Sequence, residues 1–422
     1  MPAMRLFSGP PDVGPMQRSN AQIARDFLDL SFQLESGRAL PVFTRFEGPV
    51  TVRLEGLAPQ SLVQDLDQLL ERLRREAGID IRRVTQGEAS ITIATVARAE
   101  LNRAVPQAAC FVSPRISSWA EFRATRQSAL GDWTTLRERE KMAVFVPWDV
   151  APQEARDCLH EELAQALGPL NDLYRLPQSV FNDDNFHAVL TSFDMLILRA
   201  TYAPELRSGM SQSEVAARLP AILARMNPAG GAGGIAPANP TPRAFNQLIE
   251  TAIGGAGSLS SRRAAAARAI RLAQDAGWQD GRLGFAYYVQ GRLSLGSYAS
   301  SAPAAFAAAE ALYRADPQMR VQWAHLAMQL VADSLLRGQF ETALSLTDRA
   351  IPAAKDAQNA ALLAQLLWMR GAALERLGRD EPAAAARGEA AGWARYGFGS
   401  EQEIRNRAAD IARLAAAPIA AR

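Results

Sequence analysis

Histidine is nearly absent from this chain of 422 residues. With only His160, His187 and His325, no histidine-rich metal cluster can be assembled. Cysteine is scarcer still: Cys110 and Cys158 are too far apart for a CxxC metal or redox pair. Two options remain for them, one disulfide in an oxidising compartment or two separate buried thiols. No uninterrupted apolar run approaches the roughly 18 residues of a membrane span, which excludes an integral membrane protein of the helical kind. An excess of charge of one sign is also missing. Lys and Arg number 46 against 44 Asp and Glu, a net +2, and no basic block concentrates the field that nucleic-acid binding needs. The opening segment MPAMRLFSGPPDVGPMQRSN has no apolar stretch before a small-residue cleavage site, so no secretory signal is visible and a cytoplasmic location stays open. Phosphate loops, dinucleotide fingerprints and GxSxG elbows are absent too, leaving ATP hydrolysis, dehydrogenation and serine-hydrolase chemistry without sequence support.

The composition, 48% apolar and 21% charged, is that of a globular protein large enough for two or three domains. Ile23–Leu34 has helical spacing. Val50–Leu54 alternates and is β-branched, so it reads as a strand, and Ser61–Ala77 is an amphipathic helix ending near Gly78. Strands follow at Ile79–Val84, Ala89–Val96, Ala109–Val112 (stopped by Pro114) and Met142–Val146 (stopped by Pro147). A long helix spans Pro152–Leu167, and further helices are expected at Thr191–Ala200 and Ser211–Met226, both opening on capping boxes. Residues 227–240 are Gly- and Pro-rich. Beyond them alanine-rich helices show loose repetition: the pair about Gly338 resembles the pair about Gly378, 40 residues on, with a weaker equivalent at Gly296. Paired helices with a turn glycine between them resemble tetratricopeptide repeats.

The segment Glu161–Asn171 has the spacing of the HExxHxxGxxH zinc-protease helix without its histidines. Glu161, Gln165 and Asn171 occupy the three ligand positions, Glu162 that of the general base, and Gly168 keeps the glycine. With the preceding order of strands and helices, residues 50 to 205 resemble a metzincin-like peptidase. Ser179-Val-Phe-Asn182 stands where that family has its methionine turn, so Phe181 would form the cleft floor. Carboxamides are poor zinc donors, and an oxygen set of this kind suits calcium or magnesium better. Asp172, Asp183 and Asp184 would then complete it. His160 has Ala164 four positions on and gains no partner on its helix face, so it is a flanking histidine. His187 would approach the cleft from its loop and assist Glu162. Arg38, Arg45, Trp119 and Trp133 are candidates to flank the cleft.

A closer resemblance is to the proteobacterial DUF2927 family. It rests on Arg38-Ala-Leu-Pro-Val-Phe-Thr-Arg-Phe46, Cys110-Phe-Val112, Arg156–Asp172 and Ser179-Val-Phe-Asn-Asp183. The resemblance implies a zincin-like fold and an envelope-associated or periplasmic protein. The expected architecture is multidomain: a flexible N-terminus over 1–19, a degenerate metzincin-like α+β domain over 20–226, a linker with a short helix over 227–259, and an all-α tetratricopeptide-like domain over 260–422. The expected function is that of a non-catalytic interaction or scaffold protein without a cofactor, binding a protein or peptide partner through its helical array. The alternatives are a divergent peptidase dependent on a divalent metal (zinc, calcium or magnesium) and a calcium- or magnesium-stabilised envelope binding protein.

Overall fold

The computed structural model describes residues 3–106, 108–295 and 301–416. Its N-terminal half is built on a mixed sheet of five strands: β1 (Val50–Glu55), β2 (Ile81–Val84), β3 (Ile91–Val96), β4 (Phe111–Pro114) and β5 (Met142–Pro147), in the order β2-β1-β3-β5-β4. All neighbours are parallel except β4, which pairs antiparallel with β5 and forms an edge. Every residue of β5 is buried, so it reads as an apolar run without alternation. The two-residue period survives in where its side chains go. Met142, Val144 and Val146 enter the large core beneath the helices, while Ala143 and Phe145 pack on the opposite face with Leu101 and Phe122.

The large core is covered by α1 (Asn20–Ser31), α2 (Gln60–Ala77), α5 (Pro152–Leu167), α6 (Ser192–Thr201) and α7 (Gln212–Met226). The small opposite face is covered by α3 (Arg98–Ala104) and α4 (Trp119–Thr125). These two helices, of seven residues each, were not anticipated, because two turns are too short to display a helical period. Several boundaries also differ: β2 starts at Ile81, β3 at Ile91, and β5 runs through Pro147. β4 includes Pro114, since an edge strand need not use the missing N–H. Helix α1 ends at Ser31, and the chain doubles back through a bridge between Gln33 and Ala39 instead of continuing to Leu34.

From α8 (Arg243–Ile253) onward the structure is all helical: α9 (Leu259–Asp275), α10 (Gly281–Leu293), α11 (Ala302–Ala315), α12 (Arg320–Leu336), α13 (Phe340–Asp356), α14 (Ala360–Arg376), α15 (Asp380–Phe398) and α16 (Glu401–Ala416). The repetition has a geometric counterpart. Gly338 and Gly378 adopt φ of 70° and 71° after α12 and α14. In both turns the next N–H reaches back to a carbonyl of the preceding helix, Gln339 to Ser334 and Arg379 to Leu374, which is the Schellman closure that a left-handed glycine permits. Gly296 lies outside the described residues.

The two halves meet along α5. The Tyr396 hydroxyl donates to Asp65 Oδ2 at 2.7 Å, Arg156 Nη2 to the Gln358 carbonyl at 2.8 Å, and Gln153 Nε2 to Asn359 Oδ1 at 3.2 Å. The N-terminal segment, expected to be flexible, lies against the helical half: Phe7 stacks on Trp393 at 4.4 Å and Gln358 Nε2 donates to the Gly9 carbonyl at 3.0 Å. Among the described residues no helix is long and apolar enough to cross a membrane.

Candidate functional site

Helix α5 carries Glu161, Glu162 and Gln165, Asn171 follows in the segment beyond it, and the helix end is fixed by a buried arginine. Arg139, 2% exposed, donates through Nη1 to the carbonyls of Gln165 and Ala166 and through Nη2 to that of Gly168. These are carbonyls that the helix end leaves without partners, at its negative pole. Burial alone brings the arginine pKa down to about 10. Gly168 needs to be glycine here, since a Cβ would lie 2.9 Å from Thr201 Cγ2. At the other end Cys158 is joined to Cys110 by a disulfide, which ties α5 to the start of β4. Of the two cysteine options, this is the one adopted.

Above α5 gathers a set of carboxyl groups. Glu162 is buried, accepts a hydrogen bond from the Val112 N–H of β4, and leaves Oε2 without a partner. Burial, then the charges of Glu161 and Glu35, push its pKa well above the carboxylate range. Burial, followed by Glu35, Asp183 and Asp157, raises Glu161 to about 7. Asp183 is likewise raised to about 7, by burial and then by Glu35 and Glu250. Asp172 is raised well above the usual range by burial, Glu35, Asp183 and Glu161, and its carboxyl is hydrogen-bonded to that of Glu35. Glu35 therefore sits among four candidates named from the sequence, yet it was missed. It lies in a turn after α1 and belongs to no motif, so only folding brings it here.

The ligand-position residues do not fit a zinc centre. The Asn171 carboxamide is used within the fold: Nδ2 donates to the Asp29 carbonyl at 2.9 Å, and Oδ1 accepts from the Asp172 N–H at 3.0 Å. Gln165 is buried in the last turn of α5, and Glu161 is held among like charges. Among the described residues no group of three or more His, Cys, Asp or Glu is placed to hold a metal ion. His160 serves the backbone, its Nδ1 accepting from the Leu190 N–H at 3.2 Å. His187 is not brought to Glu162. It is buried without a partner for Nε2, burial lowers it to about 4, and it lies near enough to His325 to act on that histidine's titration. Phe181 is fully buried in the large core that also takes in α5.

Alongside β4 runs a groove of about 650 Å³, lined by Leu34, Arg38, Phe111, Val112, Phe122 and Trp133. Two of the four residues expected to flank a cleft thus do so. Arg45 instead braces the fold through Glu47 and the carbonyls of Thr201 and Ala203, and Trp119 packs on Phe122 beside a separate cavity. In chemical terms the site is a groove of mixed lining, with Phe111, Phe122 and Trp133 beside Arg38, Arg126 and Asp132, and Val112 in its wall bonds to Glu162, a carboxyl held towards its protonated form.

Comparison with known families bears on this same region. The model of the family described as "Protein of unknown function (DUF2927)" matches residues 20–221. Residues 20–221 are thus similar to the DUF2927 family. No curated protein matches the chain. The matched segment holds the sheet, α5 and all five carboxyls of the cluster, Glu35, Glu161, Glu162, Asp172 and Asp183. The all-helical region lies beyond it.

The cluster gives the DUF2927 segment a definite pH response. Its carboxyls keep protons in the folded state that the unfolded chain has released at the same pH. Their contribution to stability therefore falls as pH rises from the ordinary carboxylate range through about 7, the value for Glu161 and Asp183. Glu162→Gln keeps an acceptor for the Val112 N–H and has no proton to lose. It is expected to stabilise the protein by about 1–3 kcal/mol at about pH 8 and to be neutral near pH 4. Urea midpoints of the two proteins at both pH values check this, and an unchanged difference between pH 4 and 8 would contradict it.

Proposed function

We propose that the protein is a non-catalytic binding protein, in which a metzincin-like domain receives an extended peptide in the groove along β4 and a tetratricopeptide-like array supports it and presents a second partner surface. The observation that carries this reading is the 650 Å³ groove along β4, whose Val112 N–H bonds to Glu162, a carboxyl held towards its protonated form. A general base must be ionised near the working pH, and burial among like charges works against that here. The strand order, with α5 beneath an antiparallel edge strand, supports the metzincin-like reading. The Cys110–Cys158 disulfide supports an envelope or periplasmic location, where oxidising conditions preserve such bonds. A second reading, a calcium- or magnesium-stabilised binding protein, draws on the mutual repulsion of Glu35, Glu161, Asp172 and Asp183; a divalent cation would relieve it only by drawing these carboxylates together, since no three of them are placed to hold an ion as they stand.

A randomised octapeptide library, incubated with the protein and recovered, tests the proposal. Peptides with apolar side chains should be retained and returned uncut, equally well by Glu162→Gln, and Leu34→Asp in the groove should reduce retention about tenfold or more. Cleavage that Glu162→Gln abolishes would instead establish a metal-dependent peptidase. A melting temperature that rises with calcium or magnesium and falls with chelator would favour the second reading.

A further inference from the structure

Residues 3–12 have no helix or strand of their own and lie along α15 and the turn between α13 and α14. Their backbone is held by the helical array. The Arg5 N–H donates to the Gly392 carbonyl at 3.1 Å, the Gly9 carbonyl accepts from Gln358 Nε2 at 3.0 Å, and the Asp12 N–H donates to the Asp356 carbonyl at 2.9 Å. Side chains alternate as in an extended strand. Phe7 stacks on the buried Trp393, and the Arg5 guanidinium lies 5.7 Å from the same ring in an ion pair with Glu389, while Met4 and Leu6 are exposed.

Two positions of the array carry a local cost that this segment accounts for. Gly392 lies inside α15, where glycine is a poor helix former. A Cβ there would come within 3.1 Å of Arg5 Cγ and 3.4 Å of the Ala3 carbonyl oxygen. Gln358 has φ of 56°, the left-handed conformation that Gly338 and Gly378 take in the neighbouring turns. Glycine would fit this turn with less strain but could not donate to the Gly9 carbonyl, as the glutamine side chain does. The array is shaped to receive an extended backbone with phenylalanine at one position and a basic side chain two residues before it.

The hold is light. The Arg5 and Glu389 side chains are 51% and 41% exposed, so their ion pair contributes little, and a segment without its own secondary structure opens easily. We infer that this face of α15 and the α13–α14 turn binds an extended segment of a partner protein carrying arginine two residues before phenylalanine, and that residues 3–12 occupy it in cis as a displaceable competitor. The inference rests on the reading of the array as a partner surface and gives that surface a place and a ligand class. Tethering holds the cis segment at an effective concentration on the order of millimolar, so a free segment enters the native chain weakly. It enters readily once the cis segment has lost its anchors.

The probe is a fluorescein-labelled peptide of residues 3–14, AMRLFSGPPDVG, titrated by anisotropy into the full chain and into a full-length Arg5→Ala/Phe7→Ala variant. Binding to the variant about tenfold tighter than to the native chain, or more, is expected. Adding Gly392→Ala to that variant improves the helix but fills the space taken by Arg5, and should weaken binding about tenfold. A peptide carrying Phe7→Ala should not bind. Leu34→Asp, aimed at the groove along β4, should leave this binding unchanged, so failure here and failure of the groove to take peptides are separate results. No binding to the variant, equal affinity for the native chain and the variant, or indifference to Gly392→Ala would each overturn the inference. A dimer of the native chain in sedimentation, abolished by Arg5→Ala/Phe7→Ala, would show the incoming segment to be that of a second copy and overturn its assignment to another protein.

Discussion

Arg139→Met is expected to lower the stability of the protein by about 3–5 kcal/mol, read as the shift of the urea unfolding midpoint at constant slope. Among the described residues the guanidinium has no carboxylate partner. Its charge is compensated by the carbonyls of Gln165, Ala166 and Gly168, by Thr44 Oγ1 at 3.2 Å from Nε, and by the Trp133 ring at 5.5 Å. Methionine fills much of the volume but leaves three buried carbonyls at the end of α5 unpaired, each worth about 1–3 kcal/mol, while the cost of burying the charge is recovered. Arg139→Lys should fall between the two, because an ammonium donates from a point and cannot span carbonyls on successive residues. The damage should concentrate at the turn carrying Asn171 and Asp172, seen as faster amide exchange there. A midpoint shift worth less than about 1 kcal/mol would show that the carbonyls find other partners.

Reduction of the Cys110–Cys158 bond is expected to cost about 2–4 kcal/mol, through release of a loop whose ends are 48 residues apart. The loop contains β4, α4 and β5, so opening it frees both the edge strand that lines the groove and the strand it pairs with. Denaturation with and without dithiothreitol, and of a Cys110→Ser/Cys158→Ser protein, should give coincident curves for the two reduced forms, displaced from the oxidised one. If all three curves superimpose, the bond adds nothing to the fold. Because β4 carries the Val112 N–H that holds Glu162, the reduced protein should also lose retention of peptides by the groove before it unfolds.

The helices with long apolar faces could be read directly. The spacing of Leu62, Leu66, Leu69, Leu70 and Leu73 gives α2, and all five are buried. Capping boxes at Thr191 and Ser211 mark the starts of α6 and α7, because the hydrogen bonds that make them lie within four residues. The candidate site was legible only in part. Its positions on α5 follow from spacing along one helix, but their environment does not. Glu35 reaches the cluster from a turn, and Asn171 turns its carboxamide to a carbonyl of α1. His187, close in sequence to the predicted floor, is drawn instead towards α12 and His325.

The sequence by itself determined the elements whose stabilising contacts are local: the strands of alternating β-branched residues, the capped helices, and the left-handed turns at Gly338 and Gly378. It also determined the match of residues 20–221 to the DUF2927 family. Tertiary structure alone decided the pairing of Cys110 with Cys158, the placement of β4 at the sheet edge, and the gathering of five carboxyl groups above α5. It also brought Ala238 and Pro240 of the Gly- and Pro-rich segment beside Asp29 and Arg175, in the wall of a cavity of about 290 Å³. The reason is range. A capping bond or a helical stripe is fixed by neighbours a few residues away, whereas burial and the charge felt by a carboxyl depend on groups that only the folded chain brings close.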